Sequence, residues 1–555
     1  MAKWIAGLVA ALVAIFAAAV LIVDTDIGHR WVADRIAGVR TPSGLRFSVG
    51  RIDGSLYTRA TLRDVRVYDL DGLVLSAPVA RLDWAPLRWF ANRLDITALD
   101  VPVATFAKWP RTRPSANAGP LLPDFDIHIG RLAVDRLIVD RRVTGVLRYG
   151  RIRGRADIHA GRALVDLAAV VQGSDDLRLR IDAEPDRDRF DIAVRAQGGK
   201  DGVLARLAGV RKPLRLEVGG TGSWTRWDGR ALGIAGDTRV IDLALGNRRG
   251  SYTLSGDLVP SAVSDGKLAR LTAPRVTVNG AATLANRRLA GNLDLRSAAL
   301  AVETTGTIDL GISSFRNVRI RARLLKPAAL FPNMTGRDVE LRAVLDGAFA
   351  TAAFDYRLSA PRFAFDETGF EQAWAAGKGR LSKSPIVLPV RFTAARVTGV
   401  GDVAGGILRN LTVDGVLRIT SRLITGDDLR VKSDKLTGRV NLTLDLLTGD
   451  YQLGVNGALG RYLIPGLGVV DVTSTLRVVP GPGGHGTRVV GQGAARVVRL
   501  DNAFFRSLAG GLPRIATALE RTPDGVMHFT NLVLTGPAIR LVGTGLRRRD
   551  GSFHF

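Results

Sequence analysis

Apolar and polar residues alternate one by one along much of this chain. Leu177-Arg-Leu-Arg-Ile-Asp-Ala183, Phe190-Asp-Ile-Ala-Val-Arg-Ala196, Leu293-Asp-Leu295, Val339-Glu-Leu-Arg-Ala343 and Leu442-Thr-Leu-Asp-Leu446 each put their apolar residues on one side of an extended backbone and their polar residues on the other. Turn-forming pairs interrupt the alternation at short intervals, as at Asp71-Gly72, Asp346-Gly347, Asp414-Gly415, Thr448-Gly449-Asp450 and Asn456-Gly457. The pattern predicts strands joined as antiparallel hairpins.

Helical spacing is scarce. Residues 502–521 carry Phe505, Leu508, Leu512, Ile515 and Leu519 at steps of three and four, interrupted by Gly510, Gly511 and Pro513. Residues 86–92, 203–207 and 370–376 are shorter helical candidates. These are too few to cover the apolar sides of the strands, and a sheet with one apolar face must close on itself, stack on a second sheet or meet an apolar ligand. Turns every ~12 residues imply roughly 40 strands, which as one curled sheet would extend ~190 Å at ~4.8 Å per strand. A series of ordinary sandwiches satisfies the same periodicity.

Residues 5–23, IAGLVAALVAIFAAAVLIV, form an unbroken apolar run that would span ~28 Å as a helix, against a bilayer core of ~30 Å. Ala17 to Ala19 imitate a signal-peptide cleavage site, but the run continues to Val23, past the usual ~7 to 15 residues of a signal core. An uncleaved transmembrane helix is predicted. Lys3 before it and Asp24 and Asp26 after it orient a single pass in a bacterial inner membrane, with the amino terminus in the cytoplasm and the body in the periplasm.

Length and composition sharpen this picture. A chain of 555 residues exceeds one ordinary core, which stops growing at ~250 to 300 residues. No cysteine is present, which excludes disulfides, thiol nucleophiles and iron–sulfur clusters. The six histidines, His29, His128, His159, His485, His528 and His554, show no metal-binding spacing, so no metal site is expected. The net charge of +26 would suit nucleic acid, but the arginines alternate with apolar residues instead of forming a basic patch, so solvated strand faces are expected and nucleic acid is not.

Known chemistry finds little purchase. Gly481-Pro-Gly-Gly-His-Gly486 satisfies the dinucleotide pattern G-x-G-x-x-G but lies between two strand-like segments, so a hairpin loop is expected. Asp69-Leu-Asp-Gly72 suggests a calcium loop yet lacks the twelfth-position glutamate, and a hairpin turn is expected. No nucleophile elbow or paired-carboxylate motif is recognisable, so no catalytic residue, no cofactor and no enzyme activity are expected. Trp84, Trp89 and Trp109 suit either membrane-interface anchors or a small core capping the sheet.

Gly54-Ser-Leu56, the Asp69-Leu-Asp-Gly72 turn, Leu82-Asp-Trp-Ala-Pro86 leading into residues 87–92, Trp109-Pro110, Leu121-Leu-Pro123 and Ile127-His-Ile-Gly-Arg-Leu132 together resemble the amino-terminal region of the TamB family, the translocation and assembly module subunits of the AsmA-like group. The resemblance is specific only up to about residue 150. It implies an all-β protein: a long continuous antiparallel sheet curled into a taco-like groove, with few short helices, behind the transmembrane helix. The organisation would be an anchor at 1–30, an amino-terminal TamB-like β region with a short helix at 31–150 and a repetitive amphipathic β-groove at 151–555.

The function implied is passive carriage of phospholipid between inner and outer membranes. Leu177, Leu179, Ile181, Leu442, Leu444 and Leu446 are the candidates for the groove lining. The family is also associated with an Omp85-type outer-membrane barrel, which makes an assembly factor for outer-membrane proteins or autotransporters the alternative, acting by strand-edge pairing. Members are usually longer and end in a C-terminal domain not found in this sequence, so a fragment or a short version is expected.

Overall fold

The structure is a computed structural model that describes residues 24–555 apart from 39–40, 42–43, 112–125, 160–161, 173–174, 185–188, 224, 383, 400–407, 465–467, 483–486 and 550–551. The expected anchor at 5–23 lies outside the described residues, and no described helix is long and apolar enough to cross a membrane. The fold is all-β, and its sheet is mixed and not closed. It divides into two compact units.

The first unit runs to Ser264 and adds Thr277–Gly291 and Asp309–Ser313. Its opening helix, Asp26–Gly38, packs Ala33 against Ile52, Leu56 and Ala60. Asp24 accepts the Leu56 backbone N–H at 2.6 Å, which pins the Gly54-Ser55-Leu56 turn beside the start of the helix. Arg59–Asp69 and Gly72–Trp84 then form a hairpin in which Asp69 faces Gly72, as the sequence predicts. The short 3-10 turn Pro86–Ala91 leads into Arg93–Phe106.

The next pairing corrects the expectation of an antiparallel sheet throughout. Arg93–Phe106 pairs in parallel with Asp126–Val139, because the connection at 107–125 is long enough to return the chain to the same end of the sheet, as a hairpin cannot. Antiparallel pairing then resumes through Arg148–His159, Arg162–Val171, Asp175–Glu184, Arg189–Gly198, Leu214–Gly222, Arg226–Ala235, Thr238–Arg248 and Ser251–Leu258. The expected helix at Val203–Leu207 is present, and its Ala205 is fully buried.

The second unit comprises Asp265–Val276, Asn292–Ile308 and Ser314–Phe555. Its strands from Ser314–Leu324 to Arg540–Arg547 pair antiparallel with near neighbours in sequence. Part of this ladder curls strongly. Leu444 and Leu446 pack on a cluster containing Phe331, Met334 and Phe365, although Ala353–Phe365 and Leu436–Asp445 are five pairings apart. A flat sheet would hold them about 24 Å apart at about 4.8 Å per strand. The ladder therefore bends with its apolar side inward.

Bulges supply the bend. The register slips between Phe315 and Val318, between Gly426 and Leu429, and between Leu459 and Tyr462. Asn317, Asp428 and Arg461 sit at these slips with φ of 48°, 56° and 51°. Such an extra residue turns the strand and sharpens its twist.

Several local expectations are corrected. Residues 370–376 lie in the strand Thr368–Arg380, where Gln372 at φ 50° resets the alternation so that Phe370 and Ala373 share a face and imitate a helical step. Residues 502–521 divide into the helix Ala503–Ala509 and the strand Arg514–Arg521. Gly510 ends the helix in a left-handed conformation, and the four-residue step from Ile515 to Leu519 suits a strand as well as a helix. Asp346-Gly347, Asp414-Gly415 and Asn456-Gly457 lie inside strands. A Cβ on Gly415 would come within 2.5 Å of Leu429 Cδ2, and one on Gly457 within 3.0 Å of Leu436 Cδ1, so these glycines make room for leucines instead of turns. Thr448-Gly449-Asp450 is a turn, as expected.

Candidate functional site

In the first unit the register aligns apolar residues across eight consecutive strands. Ile152, Ala169, Leu177, Ala196, Leu216, Gly233, Ile241 and Leu258 occupy successive partner positions. A second row runs Gly154, Leu167, Leu179, Val194, Val218, Ala231, Leu243, Gly256, and a third Ala156, Val165, Ile181, Ile192, Gly220, Gly229, Leu245, Leu254. Leu177, Leu179 and Ile181 thus lie side by side on one face, and Leu177 is 37% exposed. On the other face the same strands carry Arg153, Arg178, Arg195, Glu217, Asp242 and Asp257 at partner positions.

The third row holds a device that alternation alone does not reveal. A Cβ on Gly220 or Gly229 would meet the Trp227 ring at 2.2 Å, so the indole lies over a pad of two glycines. Phe190 stands 6.0 Å from it. The Trp227 Nε1 has no hydrogen-bond partner among the described residues.

The second unit repeats the construction. Leu442, Leu453, Val478 and Val489 form one row, and Val440, Val455, Leu476, Gly491, Leu519 and Phe529 a second. Leu442 is half-buried on its row. Leu444 and Leu446 instead join the packed cluster around Phe331. The three leucines expected to act together therefore have two environments.

Sequence reading missed the aromatic series on this side. Phe331 and Phe365 are 5.7 Å apart, Phe363 and Phe370 stack at 5.0 Å, and Phe370 meets Phe392 at 5.6 Å. The signal in the sequence is Phe363-Ala-Phe365, a strand alternation, followed by Phe370, whose spacing to Ala373 imitates a helix.

On the polar face, arginines meet carboxylates across strands: Arg162 and Asp182 at 2.9 Å, Arg230 and Asp242 at 2.7 Å, Arg321 and Glu340 at 2.8 Å. These arginine hydrogen bonds hold Asp182, Asp242 and Glu340 below the usual carboxylate range. A shallow hollow of about 600 Å³, lined by Asn441, Thr443, Gln452, Arg477 and Gln492 among others, also opens on this face. Leu453, Leu476 and Gly491, members of the apolar rows, also border it.

The remaining motifs resolve locally. Asp69, fully buried, is an acceptor for the Arg111 and Asp71 backbone N–H groups and for Lys108 Nζ at 2.6 Å. Burial opposes its ionisation, but these donors prevail and hold it well below the usual range. Residues 481–486 join two strands that pair with Pro480 facing Thr487, a hairpin. Among the described residues no group of three His, Asp or Glu is placed to hold a metal. Trp109 is 56% exposed and edge-on to Phe106 at 5.3 Å, while Trp84 is half-buried; the side chain of Trp89 lies outside the described residues.

Fold and site together define an open β-sheet protein in which each unit carries its own rows of aligned apolar side chains. Compared with protein-family models, curated proteins and solved structures, the chain finds no match.

Proposed function

We propose that this chain is an inner-membrane-anchored periplasmic β-groove protein that carries phospholipids passively between the inner and outer membranes, as its TamB-like opening implies. The observation that carries the reading is the alignment of apolar residues over eight strands from Ile152 to Leu258. Each methylene withdrawn from water on such a surface gains about 0.8 kcal/mol. Movement from one strand to the next exchanges one apolar contact for another, so a bound acyl chain can slide with little change in free energy. Its head group stays at the water boundary, and no cofactor is required. The charged face, with its paired arginines, keeps the sheet soluble and does not require nucleic acid.

Photo-crosslinking tests this directly. A benzoylphenylalanine at Leu179 or Leu442 should yield phospholipid adducts in cells, while one at Arg180 or Thr443 should not. Equal labelling from both faces, or none from the apolar face, would overturn the proposal.

A further inference from the structure

Two cations on one short helix of the second unit face the segment around Phe331. The helix Gly266–Thr272 carries Lys267 and Arg270 three residues apart, hence on neighbouring positions of one side. Both reach the segment that follows Lys326. Lys267 Nζ lies 3.7 Å from the centroid of the Phe331 ring, and Arg270 Nε donates to the Ala329 carbonyl at 3.1 Å. Arg270 Nη2 is buried and has no hydrogen-bond partner among the described residues. Phe331 is only 7% exposed, in the cluster with Phe365, Leu444 and Leu446.

The carboxylates of this region are engaged elsewhere. Asp445 accepts Arg422 at 3.2 Å and the backbone N–H groups of Leu447 and Thr448, and Asp366 accepts the Asn333 amide at 3.1 Å. Burial, and then the like charge of Arg270, hold Lys267 below the ordinary lysine range, with Asp445 opposing them. Two adjoining cations at the border of an apolar surface are unfavourable until an anion joins them. The ring of Phe331 offsets part of this for Lys267, but not for Arg270.

We propose that Lys267 and Arg270 form a binding site for a phosphate-bearing anion, with the chemistry of a phospholipid head group whose acyl chains continue onto the row of Leu442, Leu453 and Val478. A guanidinium with a free N–H and a neighbouring ammonium match phosphate oxygens in charge and geometry. The site rests on the lipid-conduit reading and adds to it a place where the head group is recognised.

The test uses the full chain in detergent with three probes: phosphatidylglycerol, diacylglycerol with the same acyl chains, and inorganic phosphate. The parent should retain phosphatidylglycerol about tenfold better than diacylglycerol, as one charge-assisted contact provides, and millimolar phosphate should compete with the former alone. Lys267→Met and Arg270→Met should each bring the two lipids close to parity at an unchanged thermal midpoint, and Lys267→Arg should restore the preference. An unchanged preference in both methionine variants overturns the site, as does an equal loss of both lipids, which would make the two residues packing elements. Phosphate retention with no lipid preference overturns the head-group assignment. A parent that binds neither lipid refutes the conduit; phosphate retention lost in Arg270→Met would then still support the anion site, and its absence would overturn that too.

Discussion

The backbone N–H of Arg461 donates to the carboxylate of Asp471 on the neighbouring strand at 2.9 Å, where the register between Tyr451–Ile464 and Gly468–Pro480 slips. A bulged residue takes its N–H out of the ladder, and here the Asp471 carboxylate supplies the replacement acceptor. The same arrangement recurs with Asn317 donating to Asp346 at 3.0 Å and Asp428 to Asn441 at 2.8 Å. Asp471 also receives Arg496 at 3.2 Å, so one carboxylate ties three strands together. Asp471→Asn keeps an acceptor for Arg461, whereas Asp471→Ala removes it. The alanine variant should therefore lower the thermal midpoint more than the asparagine variant; identical midpoints would show that the bulge does not depend on this acceptor.

The glycine pad under Trp227 should tolerate no side chain. A Cβ on Gly220 meets the indole at 2.2 Å, the Asp228 carbonyl at 2.6 Å and the Gly229 Cα at 2.6 Å, so the backbone itself blocks relief. Gly220→Ala should destabilise by about 1 to 3 kcal/mol. Gly543, with nothing within 4 Å of its added Cβ, is the control, and its alanine variant should stay within about 0.5 kcal/mol. Urea midpoints compare the two.

A charge on the apolar face should have opposite consequences in its two environments. Leu444→Arg places a guanidinium in the cluster with Phe331 and Phe365 and should cost about 2 to 3 kcal/mol through an unpaired charge. Leu179→Arg, on an open row, lets the guanidinium reach water along its stem, so its midpoint should hardly move while the bound phospholipid per protein falls. Thermal unfolding paired with lipid mass spectrometry reads both effects, and equal destabilisation at the two positions would speak against an open face.

Acid should loosen the sheet. Asp182, Asp242 and Glu340 are held below their ordinary values by arginine hydrogen bonds, so the unfolded chain takes up protons at a higher pH than the folded one. Their contribution is complete above the ordinary carboxylate range and is lost as pH falls through about 4 and below. Urea midpoints should match at pH 7 and pH 5 and drop at pH 3.5. A midpoint that holds at pH 3.5 would show that these pairs do not stabilise the fold.

The proposed anchor carries an expected orientation, set by the order Lys3, residues 5–23, Asp24. A periplasm-active reporter fused after Phe555 should be active. Activity confined to a cytoplasmic reporter at that position would reverse the topology.

What the sequence made legible was whatever depends on neighbours along a strand. Leu177, Leu179 and Ile181 alternate with charged residues, and the structure puts them on one face of Asp175–Glu184. Cross-strand facts were out of reach: that Leu179 faces both Leu167 and Val194 depends on register, which no single strand encodes. Bulges defeated the simple period at Gln372, where one left-handed residue made a strand resemble a helix. Asp-Gly and Asn-Gly pairs misled because glycine serves a turn and a close cross-strand leucine equally well, as Gly415 beside Leu429 shows. Lys267 and Arg270 lie one and four residues after Gly266, the first residue of their helix, in a segment with no motif, and only the fold brings Phe331 to Lys267.

The parallel pairing of Arg93–Phe106 with Asp126–Val139 has a kinetic meaning. A ladder of hairpins assembles through contacts between residues close in sequence, so each new strand adds to its predecessor at little entropic cost. The parallel step admits no such zippering, since the whole connection at 107–125 must close before any of its hydrogen bonds can form. Strand Asp126–Val139 is thus the pairing of the first unit expected to carry the larger closure cost, since the hairpins after it need only neighbours close in sequence.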